Sequence, residues 1–74
     1  MRWVRSFDQY GREELVGGAG RVVAYVETER GHMRGFVCGM ARDVFVGSAC
    51  WYDDYGMCKP ERAVELKRKV EAAL

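Results

Sequence analysis

Residues 21–40 read RVVAYVETERGHMRGFVCGM. Two runs rich in Val, Tyr, Phe and Thr flank Glu29-Arg30-Gly31, and this arrangement decides the fold. Those residue types suit the pleated, half-buried surface of a strand. A tight turn with Gly where positive φ is required joins two such runs into a hairpin. Residues 21–28 are therefore read as one strand and residues 32–40 as its antiparallel partner.

Working toward the C-terminus, Met40-Ala41-Arg42-Asp43 turns the chain again, and residues 43–52 read as a further strand. Strict alternation places Val44, Val46, Ser48 and Cys50 on one side and Phe45, Gly47, Ala49 and Trp51 on the other. Gly35, Gly39 and Gly47 interrupt these strands, which points to bulges, strong twist or a helix packed close on one face. Pro60 suits the first position of a helix, where its missing N–H costs nothing. Glu61 complements the positive end of the helix dipole. Ala63, Leu66, Val70, Ala73 and Leu74 recur at spacings of three or four and form one apolar stripe.

Working toward the N-terminus, residues 1–7 alternate loosely, with Trp3, Arg5 and Phe7 on one side and Val4 and Ser6 on the other. They read as a strand, with a helical start as the alternative. Asp8 is the cap expected for a short helix through residues 11–16, which Gly17 and Gly18 would stop. Gly17-Gly18-Ala19-Gly20 is not a phosphate loop. Such a loop opens a helix whose N-terminus faces the anion, and this one opens a strand. The expectation is a single α+β domain over residues 1–74: an antiparallel sheet of three to four strands covered by a C-terminal helix, with a short N-terminal strand or helix.

Composition narrows the function. Twelve Lys and Arg stand against eleven Asp and Glu in a chain of 74 residues, and the two signs are interspersed. A dedicated nucleic-acid binder concentrates a basic surplus on one face. No segment approaches the roughly 20 apolar residues that span a bilayer, and no apolar region follows the first arginines as in a signal peptide. A cytoplasmic, complete small gene product is expected, with no membrane association. In that compartment Cys38, Cys50 and Cys58 are thiols, an odd number that argues against a disulfide framework.

The most unusual stretch is CWYDDYGMC, residues 50–58. As a metal site, Cys38, Cys50 and Cys58 with His32 make a chemically sound zinc set, but none of these cysteines forms a close pair of the usual spacing. As catalytic acids, the adjacent Asp53 and Asp54 point different ways on an extended backbone. No nucleophile motif accompanies His32, so neither enzyme activity nor a cofactor is expected. The bland alternative is a strand end and a turn, with Trp51 in the core and Gly56 supplying positive φ. It leaves Tyr52, Tyr55 and Met57 without a reason, whereas aromatic residues and Met are enriched at protein interfaces. The stretch is therefore read as a contact surface. Asp53 and Asp54, helped by Glu27 and Glu29, would meet Lys or Arg of a partner, and Trp51, Tyr52 and Tyr55 would anchor it.

Two resemblances follow. If the N-terminal segment were helical, the order α-β-β-β-α with an Ala-rich final helix running to Ala72-Ala73-Leu74 resembles the double-stranded-RNA-binding domain. That likeness would imply nucleic-acid binding through Arg21, Arg30, Arg34 and Arg42. The family's lysine cluster at the helix start is reduced here to Lys59 and Arg62. A tiny α+β chain with an acidic-aromatic loop also resembles anti-CRISPR proteins of phages, in size and surface character. That likeness implies a DNA-mimicking inhibitor in the host cytoplasm that binds a Cas subunit and blocks DNA binding; a monomer or weak homodimer is expected. A small zinc-binding domain is the third reading.

Overall fold

The structure, a computed structural model, describes residues 1–50, Tyr52 and residues 59–74. Five strands are followed by one helix: β1 (Arg2–Arg5), β2 (Arg12–Val16), β3 (Val22–Glu29), β4 (His32–Val37), β5 (Val44–Cys50) and α1 (Pro60–Ala72). The strands form one sheet in the order β1-β2-β3-β4-β5, each antiparallel to the next. The α+β architecture expected from the sequence is present, with one strand more than the upper count.

The additional strand is β2, where a short helix was expected. Gly11 adopts φ 77°, which ends any helical path there. A Cβ at Gly11 would lie 2.7 Å from the Thr28 carbonyl oxygen, so the chain passes too close to β3 for any other residue. Asp8 does not cap a helix. Its Oδ1 accepts a hydrogen bond from the Ser6 hydroxyl at 3.1 Å within the β1–β2 connection. The turns at residues 17–20 and 30–31 form as expected, the first closed by Gly20 N–H donating to the Gly17 carbonyl at 3.0 Å.

Helix α1 lies over β3, β4 and β5. Pro60 takes the first turn as expected, and Ala63, Leu66 and Val70 are its buried residues. The stripe stops at Val70, because Ala73 is already the C-cap and Leu74 is half exposed. The core comprises Leu15, Ala24, Val26, Met33, Ala63, Leu66 and Val70. Gly35 sits at its centre because Val70 occupies the space: a Cβ there would be 2.6 Å from Val70 Cγ2.

One irregularity aims the site. Gly35 pairs with Gly47 and Phe36 pairs with Phe45, so Val46 is an extra residue on β5. This bulge breaks the alternation expected for residues 43–52. Val46, which was assigned to the side of Ser48 and Cys50, packs with Ala49 against the core. Phe45 turns to the opposite face beside Phe36.

Candidate functional site

The helix-free face of the sheet carries a continuous strip of aromatic rings. Register places Glu14 opposite Tyr25, Tyr25 opposite Phe36 and Phe36 opposite Phe45, from β2 to β5. Tyr25 and Phe36 stack with centroids 5.1 Å apart and planes 21° apart. Phe36 and Phe45 meet edge to face at 5.6 Å. Both geometries suit the quadrupoles of aromatic rings. The Arg12 guanidinium sits 3.8 Å from the Tyr25 centroid, so cation–π attraction closes the strip on the β2 side.

Tyr25 is only 6% exposed although α1 does not cover it, whereas Phe45 at the other end is 55% exposed. The strip is therefore ordered at its root and open at its tip. The Tyr25 hydroxyl donates a hydrogen bond to Asp43 Oδ2 in the β4–β5 connection. Burial first, and then Asp43, push the Tyr25 phenol up to about 12. Burial also raises the Cys38 thiol, which disfavours its reactive thiolate.

Charge frames the rings. Arg12 binds Glu14 at 3.1 Å and Glu27 at 3.7 Å, and Arg34 binds Glu29 at 3.6 Å. With Asp43, four carboxylates (Glu14, Glu27, Glu29, Asp43) face two guanidiniums (Arg12, Arg34) across β2–β5. Among these six groups carboxylates outnumber guanidiniums by two, and both arginines are already engaged.

Of the residues named from sequence, Glu27 and Glu29 lie on this face, each holding an arginine of the same chain. Tyr52 is half exposed beside the β3–β4 turn, where a Cβ on Gly31 would meet its ring at 2.7 Å. Arg62 donates to the Tyr52 carbonyl at 3.4 Å and to that of Cys50 at 3.2 Å. Trp51, Asp53, Asp54 and Tyr55 lie outside the described residues, as do Gly56, Met57 and Cys58. Sequence reasoning missed Tyr25, Phe36, Phe45, Arg12, Glu14 and Asp43. A signal existed: Tyr25, Glu27 and Glu29 share one parity on β3, as do His32, Arg34 and Phe36 on β4.

The competing constellations do not assemble as drawn. The meander puts Arg21 and Arg42 at one end of the sheet and Arg30 at the other, with Arg34 between them on the open face. The five-strand order before the helix also differs from α-β-β-β-α. His32 Nδ1 and Cys50 Sγ are 3.6 Å apart. Cys38, however, follows the far end of β4, roughly 20 Å along the strand. Among the described residues, no group of three or more His, Cys, Asp or Glu is placed to hold a metal ion.

Comparison of the chain with protein-family models, curated proteins and solved structures finds no match. Among the described residues, no helix is long and apolar enough to cross a membrane.

Proposed function

We propose that this chain is a non-enzymatic protein-binding module whose helix-free face docks on a basic protein surface. The observation that carries this reading is the stacked strip ending in exposed Phe45 and framed by surplus carboxylate. Aromatic anchors within a charged rim are the usual anatomy of a binding surface. Carboxylate surplus steers such a surface toward Lys and Arg. Asp53 and Asp54 add negative charge in the sequence reading, with Trp51, Tyr52 and Tyr55 as further anchors. In its most specific form the partner is the DNA-contacting surface of a CRISPR effector subunit, as the likeness to anti-CRISPR proteins implies. The protein then acts as a stoichiometric inhibitor in the host cytoplasm.

The test is affinity capture by the tagged chain from host lysates, with and without nuclease. Recovery of a nuclease-resistant protein that is lost with the double substitution Asp53→Lys, Asp54→Lys supports the acidic docking model. Recovery of RNA or DNA alone, abolished by nuclease, contradicts it.

A further inference from the structure

On the other side of the sheet, α1 reaches β1 and β2 through long side chains. Lys67 pairs with Glu13, and Trp3 Nε1 donates to Glu71 at 3.2 Å. Between the helix, the β1–β2 connection and the β3–β4 turn lies a half-open cleft of about 750 Å³. Its floor includes the buried apolar residues Met33 and Ala63, and its wall includes the fully exposed rings of Phe7 and Tyr10. That volume falls within the range of roughly 300–1,000 Å³ typical of ligand clefts.

Two cations lining this cleft have no ion-pair partner among the described residues. Arg5 lies opposite Glu13 in the β1–β2 ladder, but Glu13 is taken by Lys67. Among the described residues Arg5 makes no ion pair, and neither does Arg30 across the cleft. Arg30 also occupies a left-handed position, φ 51°, ahead of Gly31 at φ 80°. Asn, Asp or Gly adopt that conformation most easily. The Arg30 side chain lines the cleft.

We propose that this cleft binds an acidic peptide segment of a protein partner. Carboxylates of the segment pair with Arg5 and Arg30, and an apolar side chain enters between Phe7 and Tyr10 toward Met33. The lining also contains Asp8 and Glu13. A phosphodiester strand carries a charge at every nucleotide and would meet them. A peptide places its carboxylates at selected positions only. The cleft shares Arg12 with the edge of the aromatic strip, but its floor of Met33 and Ala63 lies on the helix side and it takes the opposite charge, so neither Arg5 nor Arg30 enters that reading.

The probe is a short fluorescein-labelled peptide of Glu and Asp around one Phe, titrated with the whole chain by anisotropy. Saturable binding that weakens with salt is expected. Combining Arg5→Gln with Arg30→Asn should weaken it about tenfold, through loss of charge-assisted hydrogen bonds. Asn suits the left-handed position, so this variant keeps its circular dichroism spectrum and melting temperature. Arg21→Gln with Arg42→Gln, at the other end of the sheet, should leave binding unchanged. Three results would overturn the proposal: no saturation at about 1 mM protein, equal weakening by the distal pair, or tighter binding of a labelled oligothymidylate through Arg5 and Arg30.

Discussion

Burial and the hydrogen bond to Asp43 push the Tyr25 phenol up to about 12, with Arg12 opposing them. An unfolded tyrosine ionises near pH 10. The folded state thus holds its proton where the unfolded state has released it. Stability contributed by Tyr25 is complete below about pH 10 and is lost as pH rises toward 12. Ultraviolet titration should show a phenolate appearing near pH 12. Tyr25→Phe should delete that step, and Asp43→Asn should bring it to lower pH. A step there that survives Tyr25→Phe would contradict the assignment. The parity of Tyr25, Glu27 and Phe36 was legible in the sequence. The partnership with Arg12 and Asp43 was not, because it joins residues brought together only by strand register and a connecting turn. The burial of Tyr25 on an uncovered face was hidden for the same reason.

Helix α1 and its seat on β4 depend on the absence of a side chain at Gly35. Gly35→Ala forces a Cβ within 2.6 Å of Val70 Cγ2 and should cost about 1–3 kcal/mol as overpacking. Gly47→Ala faces Lys69 Cδ at an ordinary 3.5 Å. It should be neutral or stabilise by up to about 1 kcal/mol through reduced freedom of the unfolded chain. Urea denaturation of the two variants checks this, and equal destabilisation would refute the helix placement. The helix and the β3–β4 hairpin were readable because each carries its own local signals: Pro60 and the Ala63-Leu66-Val70 spacing, and Arg30-Gly31 between alternating runs. Strand β2 was not readable. Arg12-Glu13-Glu14-Leu15-Val16 has little β-branched content and four charged or long aliphatic helix formers. Pairing on both edges, to β1 and β3, overrides that preference. The bulge at Val46 was also invisible in local pattern, and it alone decides that Phe45 joins the aromatic strip.

Among the described residues the molecule is one five-stranded sheet with one covering helix, so one face has a core and the other carries the aromatic strip. A chain of 74 residues is expected to have about 4–11 kcal/mol of stability. Leu66→Ala, at a residue 4% exposed, should remove about 2–5 kcal/mol and leave much of the population unfolded on mild heating, a loss that calorimetry would detect. Phe45 lies more than half exposed at the tip of the strip, so Phe45→Ser should cost about 1–2 kcal/mol through the lost contact with Phe36, less than Leu66→Ala. That contrast allows binding to be separated from folding. The most direct measurement is quantitative mass spectrometry of proteins captured from nuclease-treated lysate by the wild-type chain and by Phe45→Ser, side by side. If the helix-free face is the docking surface, the folded Phe45→Ser chain should lose at least about tenfold of one specific protein. Equal capture by both chains would contradict that assignment.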